Sequence, residues 1–188
     1  MLYDGEKSYD ANMKTPNSTT SSPSILRCYL NPDWNETGLA RVVIGRWNSK
    51  REVTGTSFLV DTFCLGVKDV TDVAFRSPQE FEEGFVSMLY FDGAPKSISF
   101  QEAREIVCGA VCYARDLGFD PHPDFNKAGR FLEVEGYAPD GNIRFGGPNG
   151  KPLYVAGPLD PADEIVRTLE VRVGKDGFEF ISPEDIQE

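Results

Sequence analysis

Two stretches rich in β-branched and aromatic residues, Leu39–Trp47 and Val53–Phe63, flank the polar loop Asn48–Glu52, and a third, Cys64–Phe75, continues after a kink near Gly66. Residues of this kind fit a pleated, half-buried surface, and the loop has hairpin length. The pattern predicts an antiparallel β-meander. Ile25–Leu30 reads as a strand before it, and Asn31-Pro32-Asp33 as a turn. Within the meander the run Phe58–Val70, FLVDTFCLGVKDV, places Asp61, Cys64, Lys68 and Asp69 around the kink. A hydrophobic strand ordinarily excludes such groups, so their clustering marks the run as a candidate site.

Helix signals come after the meander. Ser77-Pro78-Gln79-Glu80 is a capping box with proline at the first helical position. Behind it Phe81, Phe85, Met88 and Leu89 share one face of a helix. Ser99-Phe100-Gln101-Glu102 opens a stronger helix with the stripe Ala103, Ile106, Val107, Ala110, Ala114 and Leu117, closed by Gly118. A shorter helix is expected over Asp124–Leu132. Next comes an expected hairpin, Asn142–Phe145 against Pro152–Ala156, around the glycine-rich run Gly146–Lys151. Asp160-Pro161-Ala162-Asp163 opens a last helix burying Ile165, Val166 and Leu169, and Gly177–Ile181 is a final short strand that can pair with the 142–156 hairpin. The fold class is α+β: a meander, three helices, a hairpin, a helix and a C-terminal strand. Residues 1–24 are rich in Ser, Thr, Asn and Pro and read as a disordered tail. Residues 25–188 read as a single globular domain.

Forty per cent hydrophobic and 12% aromatic residues suffice for a packed core. No run of apolar residues is long enough for a transmembrane helix, and the N-terminus carries no apolar signal region. A cytoplasmic protein without membrane contact is expected. Against 19 Lys and Arg stand 30 Asp and Glu, a net charge of −11. Nucleic acid is thereby disfavoured as a partner, because phosphate binding needs local positive potential. The basic residues Arg41, Arg46, Lys50 and Arg51 read as a solvated hairpin. The four cysteines should be reduced in a cytosolic protein, and Cys108 and Cys112, four apart on a helix, lie beyond disulfide reach.

Four constellations bear on chemistry. Cys64 and His122, the only histidine, would make a nucleophile and base, with Asp61 or Asp124 orienting the imidazole. The flanking Pro121 and Pro123 would hold the ring in place. Cys64, Cys108, Cys112 and His122 offer four soft metal ligands, although two cysteines separated by three residues in a helix are not the usual zinc knuckle. Asp61, Lys68 and Asp69 lack the acid two residues before the lysine that a restriction-type nuclease needs, since Gly66 stands there. Lys68 and Asp69 are instead expected to form a structural ion pair at the kink. The run Phe145–Lys151 is not followed by Ser or Thr and a helix, so it does not make a phosphate loop. No cofactor is expected.

Three motifs, V-D-x-x-C-L-G-V-K-D over Val60–Asp69, G-F-x-P-H-x-D-F over Gly118–Phe125 and G-K-P-L-Y-V-A-G-P over Gly150–Pro158, resemble a group of uncharacterised bacterial proteins. Some members carry an added SEC-C-type metal-binding segment, which is not visible here. The resemblance spans Leu39 to Ile181. It implies a bacterial origin and a cytoplasmic context, and no activity. The acidic surface, the polar tail and the lack of a complete catalytic set favour a binding or regulatory module that docks another protein. A thiol-dependent hydrolase or transferase using Cys64 and His122 is the alternative, and a structural zinc protein the third reading.

Overall fold

A computed structural model describes residues 24–182 except Ser49 and Pro139. The tail expected over residues 1–24 lies outside the described residues, apart from Ser24, whose carbonyl accepts the Trp47 N–H. The fold is α+β, and the meander is present. Strands β1 (Ile25–Leu30), β2 (Leu39–Trp47), β3 (Val53–Asp61), β4 (Gly66–Phe75) and β5 (Lys96–Ile98) form one antiparallel sheet in the order β4-β3-β2-β1-β5. The β5 strand is too short to leave a periodic signal. It adds to β1 with Cys28 opposite Ile98. A short helix, α1 (Trp34–Thr37), follows the expected turn and ends at the left-handed Gly38.

Successive side chains of a strand point to opposite faces, and both faces of this sheet are packed. Cys28, Leu30, Val42, Ile44, Phe58, Val60 and Val70 pack on one face beneath α4 (Phe100–Leu117) and α5 (Phe125–Ala128). The stripe read from the sequence, Ala103 to Leu117, is the buried face of α4. Its cap is Ser99, whose hydroxyl accepts the Glu102 N–H at 3.0 Å, and Gly118 ends it with φ 96°. The shorter helix expected over Asp124–Leu132 is split into α5 and a 3₁₀ turn over Arg130–Leu132.

On the opposite face Tyr29, Val43 and Val53 pack beneath α2 (Pro78–Glu80), a π-helical turn (Phe81–Val86) and α3 (Ser87–Leu89). Gly45 and Gly55, directly opposed on β2 and β3, leave a notch for the Phe81 ring. Here the helical face differs from the one expected. The chain buries Phe81, Phe85, Val86 and Tyr90, while Met88 is 61% exposed. The cause is the wide turn: the Ser87 N–H reaches back to the Glu82 carbonyl, an i→i+5 bond. One extra residue in that turn rotates the next residues about the helix axis, so a 3.6-residue period no longer tracks the core.

The expected hairpin over Asn142–Ala156 does not form. The turn at its centre is present, with the Gly147 N–H on the Lys151 carbonyl at 2.7 Å. Its arms bond elsewhere: the Gly146 N–H reaches the Thr62 carbonyl and the Leu153 N–H the Phe63 carbonyl. Phe145 is drawn away to stack on Tyr113 over Gly109 of α4, where a Cβ would lie 2.5 Å from the ring. Strand β6 (Leu153–Val155) pairs instead with β7 (Glu179–Ile181), in parallel, across α6 (Ala162–Val173). These elements close a third core of Cys64, Leu117, Tyr154, Ala156, Ile165 and Leu169.

Candidate functional site

Asp61 ends β3, residues 62–65 form a turn, and Gly66 opens β4 at φ 70°. A Cβ on Gly66 would lie 2.7 Å from that of Ala114, so only glycine allows this turn to dock on α4. Cys64 therefore lies in the turn rather than in a strand. Asp61 Oδ1 accepts the N–H groups of Phe63 and Cys64, both at 2.9 Å. The carboxylate acts as the staple of a local turn. Burial pushes its pKa up, against the pull of the Leu65, Cys64 and Phe63 amides and of Lys68.

Cys64 is 0% exposed, and burial together with the Asp61 charge pushes its thiol far above the ordinary range. His122 lies on the loop before α5. Its backbone N–H is bonded to the Val67 carbonyl at 2.9 Å. Its Nδ1 accepts the Asp124 N–H at 3.3 Å and lies 3.8 Å from Asp124 Oδ2. No hydrogen bond joins Cys64 to His122. Of the residues expected to cooperate, Asp61 and Cys64 are brought together by the turn, and His122 and Asp124 by the loop, as two separate pairs.

The expected zinc set is not assembled. Cys108 lies in the core beneath the main sheet with its thiol directed at the Leu132 carbonyl, whereas Cys64 belongs to the C-terminal core. Among the described residues no group of three or more His, Cys, Asp and Glu is placed to hold a metal ion.

The ion pair expected between Lys68 and Asp69 is also replaced. Val60 pairs with Val67 and Leu59 with Asp69, so Lys68 is the extra residue of a β-bulge. The bulge directs it to Asp160, with Nζ 3.0 Å from Oδ2, while Asp69 is exposed. Asp160 Oδ2 also accepts the Gly157 N–H at 3.0 Å. Burial works upward on the Asp160 pKa, but the Gly157 amide and Lys68 outweigh it, so the net shift is downward.

Two phenols complete the neighbourhood. The hydroxyl of Tyr113 is buried without a hydrogen-bond partner, and that of Tyr154 is buried and faces the Asp160 carboxylate. Burial pushes Tyr154 up to about 12, helped by Asp160, Cys64 and Asp61, and pushes Tyr113 to about 12 with Cys64 and Asp61. Asp160, Tyr113 and Tyr154 carry no sequence signal for this role. Asp160 reads as the cap of the last helix, whereas Pro161 holds that position. The cluster joins the turn over residues 62–65 to the C-terminal elements, and it holds its thiol and phenols in their neutral forms at neutral pH.

A separate cleft of about 540 Å³ lies between the end of α4 and the 125–135 segment. Arg115, Phe125, Arg130, Glu133 and Glu135 are among its walls, so it has no dominant charge. Glu133 is held at φ 52°, and Arg104 fixes the segment through the carbonyls of Leu132 and Glu133. Among the described residues no helix is long and apolar enough to cross a membrane. Comparison with family models, curated proteins and solved structures finds no match, so the motif resemblance gains no support from them.

Proposed function

We propose that the protein is a binding module that acts through its surface on another protein, without covalent catalysis at Cys64. The observation that supports this reading is the state of Cys64: fully buried, its thiol held protonated and without hydrogen-bonded contact to His122. A nucleophilic cysteine needs thiolate character, access and a base, and this position has none of the three. The Asp61 staple and the Lys68–Asp160 pair serve to fix the turn and the C-terminal elements.

Alkylation by iodoacetamide, followed by peptide mass mapping, tests the reading. In the folded protein Cys64 is expected to stay unmodified at pH 7 to 8 and to label only after denaturation. Rapid labelling of Cys64 below pH 8, slowed by His122→Ala, would replace the binding module with a thiol enzyme.

A further inference from the structure

We infer that the segment 77–95 docks a basic amphipathic helix of a partner protein, on the surface that the π-helical turn creates. This deepens the binding-module reading and rests on it. A regular α-helix would carry Met88 to the core beside Phe81 and Phe85. The wide turn hands that place to Val86 and Tyr90, and leaves Met88 61% and Phe91 86% exposed. Met88 lies in α3 and Phe91 in the turn that follows it, two exposed apolar side chains close in sequence of the kind that anchor an amphipathic helix. Phe91, with Val86, Tyr90, Asp92 and Pro95, lines an open groove of about 570 Å³. Methionine is unbranched and polarizable, which suits a surface that must repack around a ligand.

Charge selects the occupant. From Ser77 to Pro95 the chain carries Glu80, Glu82, Glu83 and Asp92 and no Lys, Arg or His, between the flanking Arg76 and Lys96, the latter paired with Glu102. Glu82 is engaged by Tyr29 at 2.6 Å and faces Arg27. Glu80, which accepts the Arg76 N–H, Glu83, which accepts from the Gln79 amide, and Asp92 are exposed on the same segment. A second copy of this chain, at net charge −11, would bring like charge to that segment, and an anionic lipid surface would do the same. A helix with leucines on one side and lysines on the other satisfies both the apolar pair and the acidic residues.

The test is fluorescence anisotropy of the full chain with a labelled Leu/Lys peptide patterned as an amphipathic helix. A scrambled peptide of the same composition is the control for charge alone. The patterned peptide is expected to bind more tightly than the scrambled one. The double variant Met88→Ser, Phe91→Ser is expected to weaken it by about tenfold or more, as loss of a central apolar anchor does. Glu83→Gln with Asp92→Asn should weaken binding and flatten its salt dependence. Circular dichroism of each variant checks that the fold is kept. Equal affinity for both peptides, or for wild type and the Met88/Phe91 variant, overturns the proposal. So does a dimer in light scattering that the same variant dissolves, since the second copy is then the occupant. Iodoacetamide mapping on the same preparation separates the two failures. A silent Cys64 with patch-independent binding removes only the site, whereas a reactive Cys64 removes the module reading itself.

Discussion

Asp61 and Asp160 flank one buried neighbourhood and are pushed in opposite directions. The folded pKa of Asp160 is depressed. Its stabilising effect is present above the unfolded carboxylate range and is lost as pH falls through the folded value. Asp61 is raised. Its contribution is present below the unfolded value and is lost as pH rises through the folded one. The two slopes oppose each other in the native protein. Asp160→Asn is therefore expected to make urea stability fall as pH rises across the carboxylate range. Asp61→Asn, whose side-chain carbonyl can still accept the Phe63 and Cys64 amides, should make it rise. Identical pH profiles for both variants and wild type would sink this account. None of this pairing was legible in the sequence. Asp69 stands next to Lys68 there, but a bulge decides where the lysine points, and its partner lies 92 residues away. The Cys64–His122 pairing turns on the same point: both residue types are plausible, and only the turn and the loop determine which neighbours they meet.

Between the residue and the whole molecule stands the π-helical turn with the sheet beneath it. Phe81 seats in a notch where a Cβ on Gly45 or Gly55 would come within 2.8 Å of its ring. Gly45→Ala and Gly55→Ala are each expected to cost about 1–3 kcal/mol through overpacking, read as a lowered urea midpoint. Gly84, inside the same turn, has open space around it. Gly84→Ala should be neutral or stabilise by up to about 1 kcal/mol, because it removes glycine's entropic cost in a helix. Destabilisation at Gly84 matching that at Gly45 would show that the turn, not the notch, is the sensitive feature. Local signals served well at this scale. The capping serines, Gly118 and the strands of the meander were all readable, since each depends on residues a few positions apart. The π-helical turn was not, because its register answers to the sheet face beneath Phe81 and Phe85. That the last strand pairs with the 152–156 arm was readable, but the parallel sense of that pair was not: Asn-Gly signals a turn faithfully, yet the flanking arms bond to residues 62 and 63.

Across the whole molecule, three packed clusters divide the cysteines unequally. Cys28, Cys64 and Cys108 are buried, and Cys112 is partly exposed. Titration with a chromogenic disulfide at pH 8 is expected to find one reactive thiol in the native protein and four in denaturant. A second fast thiol would mean that one of the cores opens readily. The order in which those cores are completed has a temporal consequence. Tyr154, Ala156, Ile165 and Leu169, which cover Cys64, lie far downstream of it, as does Asp160, the partner of Lys68. At about 5–20 residues per second of synthesis, the 92 residues from Lys68 to Asp160 take on the order of 5 to 20 seconds to make. During that interval the nascent meander carries an uncovered thiol and an uncompensated lysine. Translation is thus the stage of this protein's life at which Cys64 is open to oxidation or to capture by a chaperone, before the last elements seal it.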